Sequence, residues 1–126
     1  MSEHLTGFGY LEDTDVDSKG NLINKGIPKN IPSVLMIYAS WCPACKACLN
    51  QVQEFADKNQ GKVCVLAIQA DDQKPSVQAL AKRIKSFYPE FRGYPTFLAY
   101  NKGKMVKEKE LQERSVSGLE DFAFSN

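Results

Sequence analysis

Apolar residues fall in blocks along this chain, and the period inside the blocks alternates. "SVLMIYAS", Ser33 to Ser40, is a continuous apolar run of strand length bounded by turn residues, which suits a strand buried on both faces. From Pro43 the period lengthens. Cys45, Cys48, Leu49, Val52, Phe55 and Ala56 recur on one face of a helix that Gly61 ends. "KVCVLAIQA", Lys62 to Ala70, is a second buried strand. Pro75 then opens a further helix carrying Val77, Leu80, Ala81, Ile84, Phe87 and Tyr88 at helical spacing.

"TFLAYN" and "KMVKEKEL" flank Lys102-Gly103 as the arms of a hairpin. The second arm alternates Lys and Glu, as a guarded edge strand does. A short helix from about Val116 to Phe124 closes the chain, with Ser117 and Glu120 at capping-box spacing. The first 32 residues are polar and rich in Gly and Pro. They predict one short strand around Phe8 to Leu11, a second at Asn21 to Ile23, and an irregular connector. The order strand, strand, helix, strand, helix, strand, strand, helix predicts an α/β domain, a central sheet with helices on its faces.

At 126 residues the chain is expected to be one domain, 1–126, with an irregular segment over 1–32 and its core over 33–124. Hydrophobic content of 43% and charged content of 25% are those of an ordinary globular protein. Sixteen basic residues against fifteen acidic leave a net charge of +1, which offers no electrostatic basis for a nucleic-acid partner or a membrane surface. The N-terminus has no basic start followed by an apolar core, so a reducing cytosol is the expected location. A monomer is the expected state. Four cysteines there point to catalysis or metal rather than to a disulfide framework.

Three of those cysteines, Cys42, Cys45 and Cys48, stand at a spacing of three directly after the first buried strand. A zinc site wants four ligands, usually as two separated pairs or Cys with His. Here the fourth cysteine, Cys64, lies inside an apolar strand, and the single histidine, His4, sits in the polar N-terminus with no role assigned to it. No metal is therefore expected, although zinc stays a distant alternative. Cys48 and Cys64 read as small core residues. Cys42 precedes Pro43 at the start of a helix, where free N–H groups and the helix dipole favour a thiolate. It is expected to combine that position with exposure, and Cys45 lies one turn on, within disulfide reach. "DTDVDSKGNLI" looks at first like a calcium loop. Lys19 and Gly26 stand where ligands are needed, so a polar turn is expected instead.

"YASWCPACK" resembles the active-site segment of the thioredoxin superfamily, and "FRGYPTFLAYNKGK" resembles its second signature, a cis-proline opening the next strand. The Arg-Gly-Tyr-Pro-Thr form and "ERSVSGLEDF" are most similar to protein disulfide isomerase domains. The resemblance implies a thioredoxin fold over about Ser33 to Phe124 and thiol–disulfide exchange with protein disulfides, supplied by an electron donor or acceptor. No bound cofactor is implied, because a Cys42–Cys45 disulfide carries the electrons. By position it implies Cys42 as nucleophile, Cys45 as resolving thiol, Trp41 as flanking aromatic, and Pro95 as the cis-proline facing the disulfide. It further implies Arg114 as a residue tuning the resolving thiol.

Three departures stand out. Met36 occupies the place of a buried acid six residues before the nucleophile. Pro43-Ala44 is neither Gly-Pro nor Gly-His. Asn50 replaces the proline that kinks the active-site helix, while the first family helix looks reduced to "NKGIPKNIP". A protein-binding module with a merely regulatory redox pair is the alternative reading.

Overall fold

The computed structural model describes residues 8–125. Strand β1 (Gly9–Tyr10) is followed by a 3-10 turn over Asp13–Asp15, then β2 (Ser33–Tyr38) and helix α1 (Pro43–Lys58). Next come β3 (Cys64–Gln69), α2 (Pro75–Lys82), α3 (Ile84–Phe87), β4 (Thr96–Asn101), β5 (Lys104–Met105) and α4 (Val116–Phe124).

The strands form one mixed sheet in the order β1-β3-β2-β4-β5. β1 and β2 run parallel to β3, whereas β4 is antiparallel to both β2 and β5. β2 lies at the centre and is buried at all six positions, as its unbroken apolar run requires. Its alternating side chains feed two cores. Val34, Met36 and Tyr38 join Cys45, Cys48, Val52 and Phe55 of α1 and Leu119 and Phe122 of α4. Leu35 and Ile37 join Leu66, Ile68, Leu80, Ile84 and Phe87 on the opposite face. Each fully buried Leu, Ile or Phe adds roughly 1.5–3 kcal/mol, so the two cores fix the end of β2, from which the Cys42 segment leaves.

The family helix that the sequence lacks has a substitute. Leu11, Val16, Leu22 and Ile27, from the irregular segment, cover the second core. An isolated bridge between Val16 and Leu22 stands where a second short strand was expected. Arg83 ties this segment down. Its guanidinium donates to Asp13 Oδ1 at 2.7 Å and to the carbonyls of Asp13, Val16 and Asp17. Arg83 also leaves helical geometry, with φ −108° and ψ 11°, and the single helix expected from Pro75 to Tyr88 is therefore two.

Two further expectations are corrected. The Lys/Glu alternation is no edge strand beyond Met105. Lys109 N–H closes a turn on Val106 O, and Lys109 Nζ donates to Phe122 O, which draws the segment toward α4. The cap of α4 is Ser115, whose Oγ accepts from Gly118 N–H at 3.1 Å, rather than a Ser117–Glu120 box. Glu120 is engaged elsewhere, accepting from Asn59 Nδ2 at 3.1 Å. Among the described residues, no helix is long and apolar enough to cross a membrane.

Candidate active site

Chain direction places the site. β2 ends at Tyr38, a turn closes from Cys42 N–H to Ala39 O at 3.2 Å, and α1 begins at Pro43. Cys42 is thus the N-cap of α1, in extended geometry with φ −80° and ψ 116°. Its sulfur accepts the N–H of Cys45 at 3.2 Å, so an otherwise unpaired donor of the first helical turn points at the thiol. This is the arrangement that stabilises a thiolate at a helix N-terminus.

Exposure is where the expectation fails. Cys42 is only 4% exposed, while Trp41 beside it is 62% exposed. The reason lies across the chain. Tyr94 brings its carbonyl within 3.6 Å of Cys42 Sγ, and its ring meets Trp41 edge-on with centroids 5.8 Å apart. Phe91 packs on Tyr94 from the other side at 5.6 Å. Cys42 therefore sits in a slot between two loops.

The Tyr94–Pro95 peptide is cis, as the sequence resemblance anticipates. Pro95 is buried directly after the carbonyl that faces Cys42. Cys45 is 1% exposed. Burial, then a hydrogen bond with Cys42, pushes its thiol up to about 12. Met36, fully buried in the same core, offers no carboxylate to accept that proton.

Cys48 donates through its sulfur to Cys45 O at 3.4 Å and lies in the core, as expected. Burial raises its thiol, and the Arg114 charge opposes that rise. Arg114, the residue implied to tune Cys45, is exposed, and its charge acts on Cys48, one turn beyond Cys45 along α1. Cys64, at the start of β3, is only part-buried.

Among the described residues, no group of three or more His, Cys, Asp or Glu side chains is placed to hold a metal ion. The acidic "DTDVD" stretch caps its own turns. Asp17 Oδ1 accepts from the amides of Lys19 and Asn21, and Asp15 Oδ2 accepts from the amide of Glu12. His4 lies outside the described residues.

Sequence reasoning missed Asp71. Its carboxylate accepts from Ser40 N–H at 3.0 Å and from the Ser40 hydroxyl, joining the loop after β3 to the loop that carries Cys42. Burial alone would raise the Asp71 carboxyl, but hydrogen bonds from Ser40 and the Gln69 side chain outweigh it and hold the group below its ordinary range. The available signal was an acid immediately past the carboxyl end of a parallel strand, where open α/β sheets place their sites.

A family model described as Thioredoxin matches residues 16–123, and the chain belongs to the thioredoxin family. It is 27% identical over 124 residues to a putative thioredoxin-like protein, 453L, of Invertebrate iridescent virus 6, covering 90% of this chain and 89% of the viral one. It is 35% identical over 89 residues to a thioredoxin domain-containing protein of Theileria parva, but spans only 36% of that protein. Against mouse protein disulfide-isomerase A5 the identity is 28% over 105 residues, covering 82% of this chain and 19% of the mouse protein.

Among solved structures, the zinc-bound form of human ERp44 superposes with a TM-score of 0.63 at 21% identity, over 91% of this chain and 30% of ERp44. The Trx4 domain of ERdj5 superposes at 0.59 with 16% identity, covering 90% of each chain. At these identities the two structures speak for the fold alone. Together, family and relatives place the chain among domains of thiol oxidoreductase type.

Proposed function

We propose that this protein is a thiol–disulfide oxidoreductase that exchanges the Cys42–Cys45 pair with disulfides of other proteins. The observation that carries the reading is the Cys45 N–H aimed at Cys42 Sγ from the first turn of α1. In the reducing direction, the Cys42 thiolate attacks one sulfur of a substrate disulfide. A Cys42–substrate bond forms and the other substrate sulfur leaves as a thiolate. Cys45 then loses its proton and attacks Cys42 Sγ, which expels the second substrate sulfur and closes the Cys42–Cys45 disulfide. The substrate has gained two electrons and the protein has lost two. A dithiol partner returns them by the same steps in reverse.

In the oxidising direction the substrate's second thiolate attacks the substrate sulfur of the mixed disulfide and Cys42 leaves, a departure that the Cys45 N–H eases because a stabilised thiolate is the better leaving group. Trp41 and Tyr94 wall the approach, and Pro95 follows the carbonyl nearest the attacking sulfur. In this reading the protein needs no bound cofactor or metal, works as a monomer, and belongs in a reducing compartment such as the cytosol.

The test is insulin-disulfide reduction driven by dithiothreitol, combined with titration of Cys42–Cys45 against glutathione. Turnover lost in Cys42→Ser, together with a two-electron titration, is expected. A pair that titrates without any turnover would favour a binding module whose redox state only regulates attachment.

A further inference from the structure

Taking that oxidoreductase reading as its basis, we infer that Asp71 is a positioning residue, holding the turn that aims Cys42 at its own helix through the paired hydrogen bonds from Ser40. Residues 39–42 form the whole link between the end of β2 and the start of α1. One bond within that link, Cys42 N–H to Ala39 O at 3.2 Å, joins its two ends. Ser40, inside the turn, is held from outside by both oxygens of one carboxylate. Such charge-assisted bonds are shorter and stronger than neutral ones, and two on one residue fix its orientation as well as its position.

The anchor is itself anchored. β3 pairs with β2 in register from Cys64 to Gln69, and Ala70 N–H donates to Tyr38 O at 2.7 Å just past the last pair. Asp72 N–H returns to Gln69 O at 3.0 Å, so Asp71 stands in a closed turn. Gln69 hydrogen-bonds the Asp71 carboxylate and accepts from Tyr38 OH at 3.4 Å. The polar chain Tyr38–Gln69–Asp71–Ser40 thus crosses the carboxyl ends of β2 and β3 and stops two residues short of the nucleophile. Without it, the Cys45 N–H to Cys42 Sγ geometry would rest on the short turn alone.

Asp71 also carries a charge close to the site. Its field reaches the Tyr94 phenol, which burial, Asp71 and Cys45 together push up. A purely electrostatic role and a positioning role therefore predict opposite signs. An unneeded negative charge near Cys42 disfavours its thiolate, so removing the charge would ease alkylation. Losing the clamp would misalign the Cys45 N–H and make alkylation harder.

The experiment measures the iodoacetamide alkylation rate of Cys42 against pH, and kcat/KM for a peptide disulfide, in Asp71→Ala, Asp71→Asn and Ser40→Ala. Asn keeps an oxygen for Ser40 N–H but drops the charge. Expected are a profile displaced toward higher pH and a roughly ten-fold loss of kcat/KM in Asp71→Ala, about 1.4 kcal/mol of transition-state stabilisation. Asp71→Asn should recover to within about three-fold, and Ser40→Ala should lie between, since it retains one of the two bonds. A profile in Asp71→Ala that is unchanged or moves to lower pH overturns the inference, as does an equal loss in Asp71→Asn. If Asp71→Ala is not folded by circular dichroism, Ser40→Ala decides, and a wild-type profile there overturns it. Alkylation needs no turnover, so absence of oxidoreductase activity in the wild type would refute the proposed function while leaving this measurement intact.

Discussion

Replacing Met36 by Glu asks whether the missing carboxylate limits this protein. A thiol at about 12, where burial and Cys42 place Cys45, is ionised to only about one part in 10⁵ at pH 7. An ordinary thiol near 8.5 is ionised to about 3%, so the deficit is roughly three and a half orders of magnitude. In the mixed disulfide, Cys42 can no longer hydrogen-bond as a thiol or carry charge, and those influences on Cys45 vanish. Burial, the largest, remains. Wild-type resolution should then quicken about ten-fold per pH unit through the neutral range, because only the thiolate attacks.

A carboxylate at position 36 supplies a proton acceptor. General bases contribute about 10²–10⁴-fold, and imperfect placement argues for the lower end, about a hundred-fold at pH 7. The substitution also puts a carboxyl at a fully buried position, at a cost of about 3 kcal/mol. Such a group has its folded pKa raised above the unfolded value near 4.3. The folded state then binds more protons than the unfolded state above that pH, so stability falls as pH rises toward the folded pKa, by at most about 1.4 kcal/mol per unit. The variant should be closest to wild type in stability near pH 4 and weakest at neutral pH.

Stopped-flow release of a chromophoric thiol from the Cys42 mixed disulfide gives the rate, and urea unfolding at the two pH values gives the stability. A folded Met36→Glu that releases no faster, or a wild-type rate that is flat with pH, would refute the reasoning.

Cys45→Ser should accumulate a mixed disulfide with a substrate protein through Cys42, and Cys42→Ser almost none; equal accumulation on non-reducing gels would mean that the nucleophile is misassigned. Ser115→Ala should cost about 1 kcal/mol in urea unfolding through loss of the α4 cap, while Ser117→Ala costs little, the reverse of what a Ser117 cap demands. Gly118→Ala should destabilise by about 1–3 kcal/mol, because its Cβ would stand 2.0 Å from Glu113 O, and no change in midpoint would contradict that close approach.

Most of the frame was legible because local pattern and burial agree in it. The apolar run of β2, the helical stripe of α1 and the Lys102-Gly103 turn each specify one structure from neighbouring residues alone. Cys42 at a helix start was legible for the same reason. What escaped depends on partners distant in sequence. Arg83 interrupts a good helical stripe at the residue whose guanidinium reaches carbonyls some seventy positions earlier. Lys109 reads as one strand residue among several until Phe122 O supplies its acceptor. The burial of Cys42 is decided by Tyr94, and the clamp on Ser40 by Asp71, and neither pairing leaves a periodic trace.

β5, two residues long, is too short to offer another chain a ladder. A free sheet edge recruits extended chains in proportion to the run of unpaired amides it presents. Here the strand beyond β4 lasts two residues before the chain turns at Val106 and is drawn across to α4. Its neighbours Lys102, Lys104 and Lys107 surround that short run with like charge. An extended chain seeking an open ladder therefore finds little template for pairing on this flank.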